Sequence, residues 1–376
     1  MKEGWTYKSL GDCIDKVPKQ KQVKSKDYQS SGKYPIVSQE RDLISGYWDD
    51  ESFLYKHEKP VIIFGDHTKE IKYIDFDFVV GADGTQILSP KSGLNAKFFY
   101  YALLATPIRT LGYARHFKLL KEKTFPIPSL SEQERIVEQL DAAFAQIDEL
   151  KSNAEKQLAE ARTLFQSALT QAMQPKPGWQ EKTLKEITTK IGSGATPKGG
   201  KAVYIEKGVA LVRSMNVHNG FFKFDNLAHI RDEAANLLNG VELKQNDVLF
   251  NITGASIARC CVLPDDVLPA RVNQHVAIIR PKADIVDPRF LSYVLISKTH
   301  QNELLSIGLS GATRQALTKK DLENHVVSLP LPNKQKEILD YLDNYLSHVR
   351  ELEEISRKTA AECDALKQAL LRQIFE

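Results

Sequence analysis

Two long stretches of the chain carry apolar residues at alternating spacings of three and four positions. The first runs from about residue 131 to 173 and the second from about 333 to 375, and they align without a gap at an offset of 202 residues. This spacing places the apolar side chains along one face of a helix, as in coiled coils. At 1.5 Å per residue each helix would be roughly 60 Å long. We predict that the two helices pack on each other as an antiparallel coiled coil with pseudo-twofold symmetry.

The predicted seam of this coiled coil consists of Ile136, Leu140, Ala143, Ile147, Leu150, Ala154, Leu158, Ala161, Leu164 and Ala168 in the first copy and of Ile338, Leu342, Tyr345, Val349, Leu352, Cys363, Leu366 and Leu370 in the second. Polar positions also recur. Each helix is preceded by a proline five residues before a glutamine, Pro128 before Gln133 and Pro330 before Gln335, and Asp141 aligns with Asp343. These matches indicate that the two segments are copies of one unit.

Each long helix follows a segment of shorter strand-like and helix-like runs. The strand-like runs are Val61–Phe64, Phe78–Val80, Val209–Val212, Val248–Ile252 and Val276–Ile279, and the shorter helices are predicted at Phe98–Leu104 and at 289–305. Gly4-Trp5 begins the first segment and Gly178-Trp179 the second, whereas the interiors diverge and the second is about 28 residues longer. Strands mixed with short helices predict an α+β class with mixed or antiparallel sheets. We predict globular domains at 1–128 and 175–330 and long spacer helices at 129–174 and 331–376.

The totals are those of an ordinary protein of more than one domain. A length of 376 residues exceeds what one hydrophobic core usually serves, and 42% of the residues are hydrophobic and 26% charged. No apolar run approaches the roughly 20 residues that a membrane-spanning helix needs, and the N-terminus does not resemble a signal peptide. The four cysteines form no CxxC pair. We therefore expect a reduced, cytoplasmic protein without a disulfide framework, a metal site or a membrane anchor.

Charge is distributed unevenly along the chain. The net charge is only +3, but helix 131–174 carries −4 and helix 333–376 carries −2, which leaves +9 on the globular segments. Basic residues cluster at 16–33, at 109–123 and at 190–201. A single lysine cluster is usually no more than solvated surface. Basic domains joined by acidic helices favour two domains that bind a polyanion while the helices stay away from its phosphates.

The architecture and motifs resemble the specificity subunit of type I restriction–modification enzymes over essentially the whole chain. The resemblance rests on the Gly-Trp start of each half, the proline–glutamine pair before each helix, and two motifs of the second domain, Gly192-Ser-Gly-Ala-Thr-Pro197 and Asn246-Asp-Val-Leu-Phe-Asn-Ile-Thr-Gly254. It implies two target-recognition domains that each read half of a split double-stranded DNA site. It also implies that the helices act as a ruler and dock two methylation subunits, to which a full nuclease adds two ATP-driven motor and cleavage subunits. Because the two interiors differ, we expect an asymmetric target whose halves lie about one helical turn apart.

Candidate DNA contacts are polar residues on loops at strand ends, where base-reading groups are expected. In the first domain they are Gln39, Arg41, His67, Thr68, Lys69, Thr85 and Gln86, together with Arg115, His116 and Lys118 just before the long helix. In the second domain they are Thr196, Lys198, Lys201, Arg213, Asn216 and Thr253, together with Arg314 and Gln315 before the second helix. Gln274 and His275, which precede a strand, are interpreted as buried hydrogen-bonding residues or as further contacts. The alternative for all these positions is hydrophilic surface without a role in binding.

Catalytic signatures are weak. The segment Ala195–Ala202 approaches a phosphate-binding P-loop, but alanine replaces its first glycine and its final Ser/Thr. Asp66, Glu70 and Lys72 approach a nuclease cluster, but Asp66 and Glu70 are too close in sequence for a hairpin to bring them round a metal. We expect no catalytic residues, no cofactor and no metal. The competing hypothesis is a non-catalytic coiled-coil scaffold whose globular ends bind proteins, and DNA binding that weakens with salt distinguishes the two.

Overall fold

The computed structural model of the chain describes residues 4–110, 112, 114–197, 200–309 and 316–376. The chain forms two compact units. The first unit combines the chain up to Glu155 with Ile355–Glu376, and the second is Lys156–Glu354. Each unit therefore contains one globular domain and a part of both long helices.

The described part of the domain of the first unit contains eleven strands and three short α-helices. Its strands are β1 (Thr6–Ser9), β2 (Ile14–Asp15), β3 (Gln22–Lys24), β4 (Tyr34–Val37), β5 (Gly46–Trp48), β6 (Leu54–Tyr55), β7 (Val61–Gly65), β8 (Ile71–Ile74), β9 (Phe78–Ala82), β10 (Thr85–Pro90) and β11 (Thr124–Ile127). Its helices are α1 (Leu10–Cys13), α2 (Ala96–Ala105) and α3 (Phe117–Lys121). The first long helix, α4 (Leu130–Ala172), follows directly.

The domain of the second unit repeats this order with additions. Its strands are β12 (Gln180–Thr183), β13 (Thr188–Ser193), β14 (Tyr204–Ile205), β15 (Val209–Val212), β16 (Val217–His218), β17 (Phe221–Phe222), β18 (Ala228–Ile230), β19 (Val248–Asn251), β20 (Cys260–Val262), β21 (Ala270–Val272), β22 (Val276–Pro281) and β23 (Val326–Leu329). Its helices are α5 (Leu184–Ile187), α6 (Asp232–Asn236), α7 (Pro288–Ile296), α8 (Lys298–Leu309) and α9 (Lys319–Asn324), before the second long helix α10 (Pro332–Phe375).

The two domains share one frame of strands. A two-stranded antiparallel sheet joins the start of each domain to its end, β1 with β11 and β12 with β23. A four-stranded antiparallel sheet follows, in the order β2-β10-β7-β8 in the first unit and β13-β22-β19-β20 in the second. A further sheet in each domain is mixed, because β9 pairs in parallel with β3 and β4, and β15 pairs in parallel with β21. The predicted α+β class with mixed and antiparallel sheets is therefore confirmed.

The central strand of each frame is buried on both faces, which explains why it reads as an uninterrupted apolar run. In β7, Ile62 and Phe64 pack with α2, while Ile63 packs with the mixed sheet. In β19, Val248 and Phe250 pack in the core that contains α7, and Leu249 packs in a second core. Full burial of such side chains contributes about 1.5–3 kcal/mol each.

All five predicted strands are present, whereas one predicted helix is interrupted. Phe98–Leu104 lies within α2 as predicted, but 289–305 is divided between α7 and α8. Ser297 separates them with an extended backbone (φ −62°, ψ 146°), and its hydroxyl donates to the carbonyl of Val294 at 2.7 Å. Apolar spacing continued across this break, so periodicity alone did not reveal it.

The long helices run antiparallel within each unit. In the first unit, Lys367 contacts Asp148 at 2.5 Å and Lys151 contacts Asp364 at 3.2 Å. In the second unit, Arg162 Nη2 lies 2.7 Å from Glu353 Oε1. None of the helices in the described part of the chain is long and apolar enough to cross a membrane.

The predicted seam is only partly correct. Ile136, Leu140, Ile147 and Ala168 are buried on α4, and Ile338, Leu342, Val349 and Cys363 on α10. In contrast, Leu150, Leu164 and Leu366 are 57%, 60% and 50% exposed. A straight helix has 3.6 residues per turn and drifts away from a 3.5-residue repeat, so a strict seam does not stay on one contact line. The ends of the helices instead bury residues that complete the domain cores, such as Phe165 and Leu371.

The repeated proline–glutamine pair is explained by a buried amide. In the first unit, the Gln133 side chain donates to the Pro128 carbonyl at 3.0 Å and accepts from the amide of Asn95, the N-cap of α2, at 2.8 Å. The Gln335 side chain donates to the Pro330 carbonyl at 3.0 Å and accepts from the amide of Asp287, the N-cap of α7, at 2.9 Å. Both glutamines are 1% exposed. The motif therefore fixes the start of each domain helix to the start of a long helix.

The aligned aspartates serve the same junction. Asp141 accepts from Lys97 Nζ at 2.7 Å and also from the hydroxyl of Tyr101, both on α2. Asp343 accepts from Arg289 on α7. Each long helix thus holds its domain helix through one amide and one carboxylate, eight positions apart along the helix.

Candidate nucleic-acid interface

Polar loops meet at the same edge of the four-stranded sheet in each unit. In the first unit, β7 ends where β10 begins, since Gly65 pairs with Thr85, so residues 66–69 lie beside residues 83–84. In the second unit, β19 ends where β22 begins, since Asn251 pairs with Val276, so residues 252–254 lie beside residues 273–275. These two groups of residues, with the side chains that contact them, are termed the loop edge of each unit.

Gln39 and the 66–69 turn form the centre of the first loop edge. The Gln39 side-chain oxygen accepts from the amide of His67 at 3.0 Å, and the Gln39 carbonyl accepts from the hydroxyl of Thr68 at 2.6 Å. Gly84 has φ +80°, and a Cβ there would lie 2.7 Å from the Gln39 side-chain oxygen. A side chain at this position would therefore displace Gln39, which explains the glycine in the Gly84-Thr-Gln86 segment.

A buried lysine holds the loop that carries Gln39 and Arg41. Lys72 is 6% exposed, and its ammonium group donates to the carbonyl of Ser38 at 2.9 Å and to that of Asp42. Burial lowers the pKa of Lys72 below its ordinary value. This lysine points at backbone carbonyls, so it does not form a metal cluster with Asp66 and the nuclease hypothesis gains no support.

The segment before α3 is anchored to the same edge. Asp66 is 3% exposed; its carboxylate accepts from the amide of Phe117 at 2.7 Å and its carbonyl accepts from the amide of His116 at 2.7 Å. Arg115 is exposed, with guanidinium nitrogens 3.9 Å from carboxylate oxygens of Asp66 and of Asp83. His116 is fully buried and its Nδ1 lies 3.0 Å from the Asp66 carbonyl. The prediction that His116 faces DNA disagrees with this burial, whereas Arg115 is available.

A cleft of about 420 Å³ opens beside Arg115. It is lined by polar side chains that include Lys19, Gln20, Gln22 and Gln86. Thr85 also borders it but is 6% exposed, and its hydroxyl donates to the Gly81 carbonyl at 2.6 Å. Thr85 therefore serves the sheet, which corrects its prediction as a contact, while the lysine cluster at 16–33 contributes to the cleft wall.

The remaining candidates of the first unit lie on its surface. Arg41 and Lys118 are exposed. Lys69 is half-buried, has φ +64° in the turn after β7, and donates from Nζ to the hydroxyl of Thr110 at 2.5 Å. These side chains can reach phosphates without rearrangement of a core.

In the second unit, four side chains form a continuous hydrogen-bonded row at the loop edge. The hydroxyl of Thr196 donates to the side-chain oxygen of Gln274, and the Gln274 amide donates to His275 Nε2 at 3.1 Å. His275 Nδ1 lies 2.5 Å from the hydroxyl of Thr253. Because Nε2 accepts, the neutral ring carries its proton on Nδ1 and donates to Thr253. Gln274 is exposed, so the interpretation that it is buried is wrong; the row presents an amide and hydroxyls to solvent.

Two motifs of the second domain support this row. Gly194 approaches β21 so closely that a Cβ would lie 1.7 Å from the Val272 carbonyl oxygen, which explains the glycine just before Thr196. Asp247 is fully buried and forms a bidentate pair with Arg280, at 2.6 and 2.7 Å. The hydrogen bonds that Arg280 donates to Asp247 raise the pKa of Arg280 above its ordinary value. The Asp247–Arg280 pair ties the start of β19, which ends two residues before Thr253, to β22, which begins just after His275.

Other predicted residues of the second domain differ in accessibility. Asn216 is fully buried, accepting from the amide of Arg213 at 3.1 Å and donating to the Lys223 carbonyl at 2.9 Å, so its prediction as a contact is corrected. Arg213 is partly exposed and donates to the Asn226 carbonyl at 2.6 Å. Lys198, Arg314 and Gln315 lie outside the described residues, as does the side chain of Lys201.

The segment around Arg314 nevertheless has a described flank. Ala316 forms a β-bridge with Thr253, and the amide of Leu317 donates to the Ile252 carbonyl at 2.8 Å. The segment before α9 thus meets the second loop edge as the segment before α3 meets the first. The support given by Lys72 was not predictable from the sequence, in which it is marked only by a lysine inside the strand Ile71–Ile74.

The class of protein follows from this duplicated frame and from a family comparison. The family model described as the type I restriction modification DNA specificity domain matches residues 2–160 and 176–362, once in each half. The chain therefore belongs to the family of type I restriction–modification DNA specificity domain proteins.

Individual proteins that are similar to the chain support this family assignment. The chain is similar to the type I restriction enzyme EcoBI specificity subunit of Escherichia coli, with 26% identity over 314 residues that cover 75% of this chain and 65% of that protein. It is also similar to the EcoR124I/EcoR124II specificity subunit of the same organism, with 25% identity over 339 residues and coverage of 86% and 82%. A solved chain from a study of complex assembly and conformational transition of the type I R-M system matches with a TM-score of 0.64 at 20% identity, covering 98% and 97% of the two chains. That likeness shows the fold.

Proposed function

We propose that this chain is the sequence-specific DNA-binding specificity subunit of a type I restriction–modification system. The observation that carries the proposal is that both domains present unlike polar side chains at the same edge of the same sheet frame. The first loop edge carries Gln39, Lys69 and Arg115, and the second carries Thr196 and Gln274. A common scaffold with different reading groups is what two different half-sites require.

The chemistry of each edge suits base recognition together with phosphate binding. Arginine can donate two hydrogen bonds to guanine and glutamine can bind adenine through both its donor and its acceptor. Arg41 and Gln86 can supply such contacts in the first domain, and Gln274 in the second. Lys69 and Lys118 suit phosphates, which fix position without reading sequence. His116, Thr85 and Asn216 are buried and are left out of the proposed contact surface.

The target that follows is asymmetric and split, with half-sites about one helical turn apart. The chain directs catalysis by other subunits and has no catalytic residues of its own. Two methylation subunits are the proposed partners, joined in a nuclease by two restriction subunits, all acting on DNA in the cytoplasm. Leu150, Leu164 and Leu366 are exposed apolar side chains of the long helices and support docking of protein there.

Co-expression with the cognate methylation subunit, followed by genome-wide mapping of methylated adenines, tests this proposal. We expect one motif of two unlike halves separated by a few unread base pairs. Arg41→Ala should relax the half read by the first domain, and Gln274→Ala the half read by the second, which makes each variant the control for the other. A continuous or palindromic motif would contradict the bipartite reading.

A gel-shift assay distinguishes the proposed DNA binding from the scaffold hypothesis. If the chain binds DNA, the isolated chain should do so weakly and without sequence preference, with an affinity that falls as salt rises. The complex with a methylation subunit should bind its target specifically. A complex that assembles but does not bind DNA would favour a protein-binding scaffold.

A further inference from the structure

A histidine–glutamate–histidine cluster lies in the second unit among residues to which the proposed function assigns no role. His300 and Glu303 are one turn apart on α8 and therefore lie on the same face of that helix. His325 is the first residue after α9. His300 Nδ1 lies 3.0 Å from His325 Nε2 and 3.8 Å from Glu303 Oε2, and the ligand atoms of all three residues lie within 4.8 Å of one another.

The two imidazole rings of the cluster pack against each other. The rings meet edge to face with centroids 5.1 Å apart, and His325 is 6% exposed. Burial, and secondarily His300, lowers the pKa of His325 to about 4. Burial also lowers the pKa of His300, although Glu303 opposes the shift. One of the two facing nitrogens carries the proton of their hydrogen bond, so a metal would bind both nitrogens after that proton moves to the other nitrogen of the same ring.

We propose that His300, Glu303 and His325 bind a first-row transition-metal dication, with Zn²⁺ the best fit. Imidazole nitrogens bind zinc at about 2.0–2.1 Å, so a tetrahedral ion separates its ligand atoms by roughly 3.3 Å. The separations from His300 Nδ1 to His325 Nε2 and to Glu303 Oε2, 3.0 and 3.8 Å, lie on either side of that value, and all three separations are within 4.8 Å. Two nitrogens and one carboxylate oxygen leave a fourth position for water.

A cleft next to the cluster gives water access to this fourth position. His300 and Glu303 line a cleft of about 300 Å³ whose wall also includes Glu181, Ser297 and Thr299. Glu303 has a side chain 57% exposed at this opening. Solvent can therefore reach His300 and Glu303 through this cleft.

A metal at this cluster would cross-link two segments that frame the domain. His325 immediately precedes β23, and its carbonyl accepts from the amide of Leu184 at 2.9 Å, which connects it to α5. His300 lies on α8, whose last residue, Leu309, precedes the segment containing Arg314. The bound ion would therefore stabilise the attachment of α8 to the strand pair that closes the domain. The cluster has no sequence signature, because His325 is 22 residues from Glu303 and the spacing matches no known zinc motif.

The test is zinc binding by the full chain after treatment with a chelator. Calorimetric titration with Zn²⁺ alone should show one saturable site, and the melting temperature should rise with the metal. Co²⁺ should give the visible absorption of a four-coordinate site. His300→Gln and Glu303→Gln should each weaken zinc binding at least tenfold, and neither residue belongs to the buried core.

His348 and Glu351 provide a matched control. They form the same pair one turn apart on α10, 3.9 Å between Nδ1 and Oε2, but both are 70% exposed. Glu351→Gln should leave zinc affinity unchanged. The proposal is overturned if the wild-type chain has no saturable site, or if folded His300→Gln and Glu303→Gln chains bind zinc with wild-type affinity. Circular dichroism establishes that the variants are folded.

Discussion

Replacing Gln335 with leucine removes a buried amide that serves three backbone groups. Its side chain accepts from the amide of Asp287 at 2.9 Å and donates to the carbonyls of Ile285 and Pro330 at 2.9 and 3.0 Å. A buried backbone group that loses its partner costs about 1–3 kcal/mol. Partial relaxation and the apolar volume of leucine offset part of this sum. We expect Gln335→Leu to lower the free energy of unfolding by about 3 kcal/mol.

Urea unfolding measures the total effect, and hydrogen exchange locates it. The amide of Asp287 should exchange faster in Gln335→Leu, because its acceptor has gone. Gln133→Leu should cost a similar amount in the first unit, with faster exchange at the amide of Asn95. Gln368→Leu, at an exposed position on the same long helix, should change stability by no more than about 0.5 kcal/mol.

The result that would refute this reasoning is specific. If Gln335→Leu unfolds at the wild-type urea concentration and the exchange rate at Asp287 is unchanged, the three hydrogen bonds do not hold the junction. A stability loss without faster exchange at Asp287 would assign the effect to packing instead. Either outcome would remove the structural explanation of the repeated proline–glutamine pair.

Three further predictions concern the loop edge, the phosphate contacts and the buried histidine. Lys72→Met should loosen residues 38–42 and weaken binding to the first half-site alone. Binding to DNA targets altered in one half or the other measures this, and an equal loss at both halves would contradict it. Arg41→Ala should cost about 1–3 kcal/mol on the cognate half-site, whereas Lys118→Ala should weaken binding to all sequences and reduce the salt slope by about one, in titrations at several salt concentrations. Because the pKa of His325 is about 4 when folded and 6.5 ordinarily, the unfolded chain binds its proton first; unfolding free energy should fall by on the order of 3 kcal/mol from pH 6.5 to 4. The unfolding free energy of His325→Gln should depend less steeply on pH, as measured by urea unfolding at several pH values. An unchanged slope in this variant would refute the role of His325.

The frame of the protein was predictable from sequence because its signals are local or repeated. Strands such as β7 and β19 are continuous apolar runs, and the aligned Gln133 and Gln335 mark the starts of the two long helices. The seam was less predictable, since burial of Leu371 and exposure of Leu366 depend on which face meets the domain. Helix α7 is ended by Ser297, whose hydroxyl donates to the carbonyl of Val294 and competes with continuation of the helix. The spacing of apolar residues does not reveal such a break.

The candidate site was predictable by residue type and only partly by position. Polar residues after strands were identified, but burial divides them, since Arg115 is exposed and the adjacent His116 is not. The contact between Gln39 and His67 joins residues 28 positions apart, and the row from Thr196 to Gln274 spans 78. Such contacts follow from the pairing of strands, which spacing along the chain does not specify.

The duplicated junction on the long helices bears on how such proteins can exchange parts. Gln133 and Asp141 on one helix present the same two groups, in the same spacing, as Gln335 and Asp343 on the other. A domain taken from one half would therefore find a glutamine amide and an aspartate carboxylate at the same positions on the long helix of the other half. The glutamine and the aspartate of a long helix can bind any domain helix that has an N-cap amide and a basic residue two positions later. Asn95 with Lys97 and Asp287 with Arg289 both have this arrangement. We therefore expect that a chimaera in which the two globular domains are exchanged between the long helices would keep these junction contacts.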